Sequence, residues 1–209
     1  YPAFPHHADI KAYLDDYAYL ANAQMDLQDL PGAAESYGGA VERLSKLAAL
    51  DPANTRFRTD LVYMLTKRGE LLVKQGDLAG ARLVTSRALA LQRESAMAPN
   101  AAPEVLNDYA WALVSCQPED LRQPAVALAF ARRAVAASAA PNPIHLHTLA
   151  LAHFRTGDPR AAVAEAERAL GAMTASSSAA PATPSTGLRR QIETDLASFR
   201  AALRQPTAQ

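Results

Sequence analysis

Two alanines seven residues apart recur four times along this 209-residue chain, as Ala33/Ala40, Ala81/Ala88, Ala127/Ala134 and Ala162/Ala169. On a helix, residues i and i+7 lie on one stripe, and small side chains there let a second helix approach closely. A bulky residue precedes each first alanine by sixteen positions: Tyr17, Leu65, Trp111 and Leu146. The pattern predicts a bulky-residue helix packed antiparallel on an alanine-striped helix, with the pair repeated along the chain. Such repetition marks a helical solenoid, in which each unit buries its apolar face only against its neighbours. The first alanines lie 48, 46 and 35 residues apart (33, 81, 127, 162), so the first two units need helices longer by one to two turns.

Composition fits an all-α chain. Hydrophobic residues make up 49% and charged residues 20%, while aromatics are only 6%, too few for a β-sandwich or a parallel sheet. The formal net charge is zero, which gives no reason to expect a nucleic-acid or membrane surface. Charge is nonetheless uneven: residues 1–50 carry seven acids and three bases, residues 51–100 five acids and eight bases. One cysteine, Cys116, excludes an internal disulfide. No apolar run approaches the ~20 residues of a membrane helix, so no membrane insertion is expected within this segment. A start at Tyr1 rather than Met suggests a piece of a larger protein.

Punctuation by Pro, Gly and Asp sets the expected boundaries. Residues 1–8 read as an extended lead-in, and a solenoid is expected over 9–173, with units at about 9–52, 53–100, 102–140 and 143–173. Gly76-Asp77 marks a turn with Asp77 as the next N-cap, and Pro124 is placed to open a helix. The Ser/Ala/Pro stretch 174–187 is expected to be a flexible linker. An amphipathic helix over 188–204 shows Leu188, Ile192, Leu196, Phe199 and Leu203 on one stripe, suited to capping the solenoid or folding back into its groove.

These residues resemble tetratricopeptide (TPR) repeats. The matches run Tyr17, Leu20, Ala21, Ala33, Tyr37, Ala40 in the first unit and Leu65, Gly69, Leu72, Ala81, Ala88 in the second. Trp111, Val114, Ser115, Ala127 and Ala134 follow in the third, then Leu146, Leu149, Ala150, Ala162 and Ala169 in the fourth. The resemblance implies a right-handed α-solenoid of four TPR-like helical hairpins plus a C-terminal capping helix. More narrowly, residues 50–205 are similar to the C-terminal TPR block of bacterial Ser/Thr protein kinases, although no Gly-rich loop, H-R-D or D-F-G motif is present. That likeness implies a regulatory or sensory region, in the bacterial cytoplasm or periplasm, tethered through a membrane helix upstream of Tyr1. A free-standing TPR adaptor in an envelope or secretion assembly is the alternative.

The resemblance also implies a concave groove for a protein or peptide, lined by Asp15, Asn22, Met25, Tyr63, Thr66, Glu70, Lys74, Tyr109, His147, Leu151 and Arg155. Trp111, like Tyr17, would belong to the core. The clamp that some TPR proteins close on C-terminal carboxylates is not reproduced: Asn22 fits, but Ala18 stands where a lysine belongs. No catalytic constellation appears. Cys116 has no nearby base, and Glu165/Glu167 and Asp15/Asp16 lie on ordinary helix faces. His6, His7 and Asp9 lack a rigid frame, and His145 and His147 point apart on a helix, so neither a metal nor a cofactor is expected.

Overall fold

The structure, a computed structural model, describes residues 7–177 and 185–204, with side chains described for 17–174 and 186–204. Within these residues there are nine α-helices, one 3-10 turn and no strand. In order they are α1 (His7–Asp26), α2 (Leu30–Leu50), α3 (Thr55–Lys74), α4 (Leu78–Ala96), α5 (Pro103–Ser115), α6 (Pro124–Ala137), α7 (Pro143–Arg155), α8 (Pro159–Ser177) and α9 (Ser185–Arg204). The long first units are visible: α1 to α4 have 20, 21, 20 and 19 residues, whereas α5, α6 and α7 have 13, 14 and 13.

Three of the turns are built alike. α1/α2, α3/α4 and α7/α8 are joined by three residues, too few for anything but an antiparallel reversal. In each, an aspartate accepts a hydrogen bond from the backbone three residues on: Gly32 N to Asp29 at 3.1 Å, Gly80 N to Asp77 at 2.8 Å and Ala161 N to Asp158 at 2.9 Å. The carboxylate satisfies a donor that the first helical turn leaves orphaned and complements the dipole. Gly76 and Gly157 close the preceding helices at φ +81° and +85°, where an L side chain would be strained. The α5/α6 connection departs from this plan. It runs eight residues, from Cys116 to Gln123, contains the 3-10 turn Glu119–Leu121, and delivers Pro124 to α6 with no side-chain cap.

The chain forms two compact units. The first comprises Tyr1–Leu91 and Cys116–Leu121. Its core is centred on Tyr37, Leu44, Leu65 and Leu71, all at most 1% exposed, with Ala33 and Ala40 at 0% and Ala88 at 2%. α3 and α4 approach so closely at Gly69 that a Cβ there would lie 2.6 Å from Thr85 Oγ1. That hydroxyl donates to Gln117 O at 2.8 Å, and Arg82 Nε lies 2.8 Å from Asp120 Oδ2, so α4 holds the 116–121 segment.

The second unit comprises Gln92–Ser115 and Arg122–Gln209. Ala127, Ala134, Ala162 and Ala169 are all 0% exposed. α9 packs on α8 and α7 through Ile192, Leu196 and Phe199, which join Leu146, Ala166 and Met173 in one cluster. Phe199 meets Phe154 at a ring-centroid distance of 4.6 Å, and Arg200 Nη2 lies 2.8 Å from Glu167 Oε1. Burying a side chain such as Ile192 or Phe199 stabilises by about 1.5–3 kcal/mol. The expected terminal helix therefore docks on α7 and α8 with Ile192, Leu196 and Phe199 buried, while Leu188 is half-buried and Leu203 stays 41% exposed.

Three expectations are corrected. The linker is shorter than 174–187, because α8 continues through Ser177 and α9 begins at Ser185; residues 178–184 lie outside the described ones. Helix α1 begins at His7, inside the expected lead-in, whose residues 1–6 also lie outside. Most consequential, Trp111 is not the core residue of its helix. Tyr17, Leu65 and Leu146 each stand nine positions before the last residue of α1, α3 and α7; in α5 that place belongs to Leu106, which is 3% exposed. The α5/α6 connection is five residues longer than the others, so the position sixteen before Ala127 falls five residues past the core place.

Candidate functional site

In the first unit, α1, α2 and α3 are tied by one hydrogen-bonded chain. Tyr37 OH donates to Asn22 Oδ1 at 2.7 Å, and Asn22 Nδ2 donates to Tyr63 OH at 2.9 Å. Burial, followed by the neighbouring Tyr63, Glu70 and Asp26, pushes the Tyr37 phenol up to about 12, so it stays a neutral donor. Tyr63 keeps 41% of its surface exposed. Along the same helix Thr66 is exposed and Glu70 is half-buried, its carboxylate 2.8 Å from Lys67 Nζ; Lys74 is exposed at the helix end. Asp15 lies in α1, but its side chain is outside the described ones. Met25 corrects its assignment: at 9% exposure it belongs to the core beside Tyr37 and Leu61, because its place on α1 faces α2.

In the second unit, Tyr109 is likewise corrected. It is 5% exposed and packs edge-on to Phe130 of α6 with ring centroids 4.9 Å apart. The corrected register explains this, since Tyr109 lies three positions after Leu106, on the stripe that faces α6. Trp111 takes the open place instead, 40% exposed, its ring 5.8 Å from that of His147 on α7. His147 is covered rather than open. It is 3% exposed, with Nε2 2.7 Å from Asp195 Oδ2 of α9. Asp195 also accepts from Gln191 Nε2 at 3.2 Å; although burial opposes its charge, the bonds from His147 and Gln191 and the nearby Arg155 hold its carboxyl below the usual range. Leu151 is half-buried against the α8/α9 cluster, and Arg155 is exposed. Ile144, one turn before His147, is 52% exposed.

His145 points away from His147, as the two-residue spacing requires, and its Nδ1 lies 2.8 Å from Ser138 Oγ. Burial holds it and His153 below the ordinary imidazole value. Among the described residues, no three His, Cys, Asp or Glu side chains are grouped to hold a metal ion, and no helix is long and apolar enough to cross a membrane. Cys116 is half-buried. Trp111 is the residue that counting from the alanines misplaced. Counting from the end of its own helix, once Pro118 and Pro124 are read as bracketing an insertion, would have found it.

No family model and no curated protein matches the chain. Solved structures do. The crystal structure of nearly identical TPR-like repeats from a Podosopora anserina kinesin light chain aligns with a TM-score of 0.53 at 16% identity, covering 91% of this chain and 87% of that one. A crystal structure of the protein MamA aligns at 16% identity with a TM-score of 0.42, covering 91% of this chain and 88% of that one. The alanine-striped helix pairs, their aspartate-capped turns and the first of these likenesses agree on one architecture: in its fold, the chain is a TPR-like helical repeat protein.

Proposed function

We propose that this chain is a protein–protein interaction scaffold that takes a peptide or protein partner on the exposed faces of its bulky-residue helices. One observation carries this reading. Each unit holds one aromatic ring by neighbours on other helices, yet leaves two-fifths of it open: Tyr63 by Asn22, and Trp111 against His147. Rigid, half-exposed aromatics with a polar handle are the side chains that anchor interfaces at low entropic cost. The TPR-like fold supports the same reading by analogy of architecture.

The test is affinity capture from a lysate of the source cell with three chains: wild type, Tyr63→Ala/Trp111→Ala, and, as a control on an alanine-striped helix, exposed Arg160→Glu. The expected result is partners retained by wild type and the control and lost from the double variant. Equal capture by all three would overturn the surface assignment, and no retained protein would overturn the scaffold reading. For the setting, we propose the regulatory region of a bacterial Ser/Thr kinase, supported by the sequence likeness over residues 50–205. The coding sequence upstream of Tyr1 tests it: H-R-D and D-F-G motifs followed by an apolar span support the kinase, and their absence favours the adaptor.

A further inference from the structure

Three of the chain's five histidines lie on one helix, and all three are buried. His145, His147 and His153 of α7 are 2%, 3% and 8% exposed. The side chains of His6 and His7 lie outside the described ones. Imidazole is the side chain whose charge ordinarily changes between about pH 5 and 8, so a helix that buries three of them has its packing tied to pH. What each ring meets decides how.

His147 keeps a partner in either state, because its Nε2 lies 2.7 Å from the Asp195 carboxylate of α9. The other two meet α6. The Ser138 hydroxyl, at the C-cap of α6, gives its one hydrogen to Ala134 O at 2.8 Å, so its oxygen accepts from His145 Nδ1–H, also at 2.8 Å. An added proton therefore lands on Nε2 of a ring that is 2% exposed. From α5, Glu104 and Asp108 attract that charge, but burial outweighs them and holds the ring below the ordinary imidazole value. At His153 burial again comes first, and Arg132 of α6 adds the repulsion of a second cation. Asp158, with Oδ2 3.8 Å from Nδ1, and Glu165 of α8 oppose both without reversing them. The two new charges thus fall on one seam, α6 against α7.

We propose that the α6/α7 seam is a pH switch of the second unit, closed while His145 and His153 are neutral and opened by their protonation. Because both rings take a proton less readily when folded, the unfolded chain is protonated first. The contribution of the two neutral rings is complete above pH ~6.5 and is lost as pH falls through their folded values. Trp111 rests on α7 through the His147 ring, so opening the seam disturbs the half-exposed aromatic of this unit. The inference needs no partner and stands apart from the scaffold reading.

Trp111 is the only tryptophan in the chain and lies in the second unit, so its emission follows the unfolding of that unit in urea. The intact chain and His145→Gln/His153→Gln are compared at about pH 7.5, 6.5, 5.5 and 5.0, above the range in which ordinary carboxylates titrate. Expected is a roughly tenfold fall in the folding constant of the wild type across this range, against less than about twofold in the variant. Asp108 cannot mimic the fall: burial holds its carboxyl above the usual range, so its protonation favours the folded state as pH drops. In parallel, assigned NMR spectra of the wild type are followed through the same titration, a measurement that needs no folded variant. His145 and His153 should titrate below an exposed imidazole, with the amides of residues 134–138 shifting in the same pH range and those of α3 still. A fall that persists in the variant, either ring titrating at or above the ordinary value, or seam amides that stay still would overturn the switch.

Discussion

The α3/α4 and α5/α6 pairs bury their alanine stripes alike and yet reverse the chain differently. In the first, three residues ending in Asp77 turn the chain, and Leu65 lies opposite Ala81 and Ala88. In the second, eight residues intervene, and the opposing residue is Leu106 while Trp111 faces outward. The contact surface between two helices is fixed by each helix's own phase, so an insertion between them moves nothing within either. Spacing counted along one helix survives an insertion; spacing counted across the connection does not.

The largest expected effect sets these pairs side by side. Leu65→Ala and Leu106→Ala should each cost about 2–5 kcal/mol, as truncation in a packed core does. Trp111→Ala should cost well under that despite the larger side chain, because much of its ring already faces water. Chemical denaturation of the three variants checks this, and a Trp111 variant as damaged as Leu106→Ala would restore the rejected register. Next in size, Ala88→Leu and Ala134→Leu should both destabilise by about 1–3 kcal/mol through overpacking. A tolerated substitution in one pair only, measured by thermal melting, would show that the stripes are not equivalent.

Titration sharpens the contrast between the units. Tyr37 in the first has its pKa raised to about 12, so its folded state holds the proton longer than the unfolded chain does. Its contribution is complete below pH ~10 and is lost as pH rises toward 12. Asp195 in the second has its pKa lowered, so its contribution is present above pH ~4 and is lost as pH falls through its folded value. Tyr37→Phe should flatten the alkaline limb of a stability–pH curve, and Asp195→Asn the acid limb. The smallest effect is expected at Arg82–Asp120, an exposed pair: Asp120→Asn should leave the melting temperature within error.

Helices, the long first two units and the turn capped by Asp77 were legible because they are local: alanine phase, Pro and Gly positions and an Asp N-cap act within a few residues. The candidate site was less so. Tyr63 and Asn22 follow from position along one helix, but their hydrogen bond joins residues 41 apart. The burial of His147 depends on Asp195, 48 residues on, and no periodicity encodes which acid a distant helix will present. Met25 was misplaced because a methionine near a helix end suits a groove and a core equally.

The segment Cys116–Leu121 has a consequence for biosynthesis. The first unit takes in residues to Leu91 and then, after a stretch that belongs to the second, these six. A nascent chain emerging N-terminus first therefore cannot complete its first unit when α4 leaves the ribosome. The Thr85 hydroxyl finds its acceptor only once Gln117 has emerged, and Arg82 its partner only with Asp120. By then the whole of α5, the opening helix of the second unit's first hairpin, has been synthesised. The two units are interleaved in time as well as in sequence, so no single cut of the gene separates them into complete pieces.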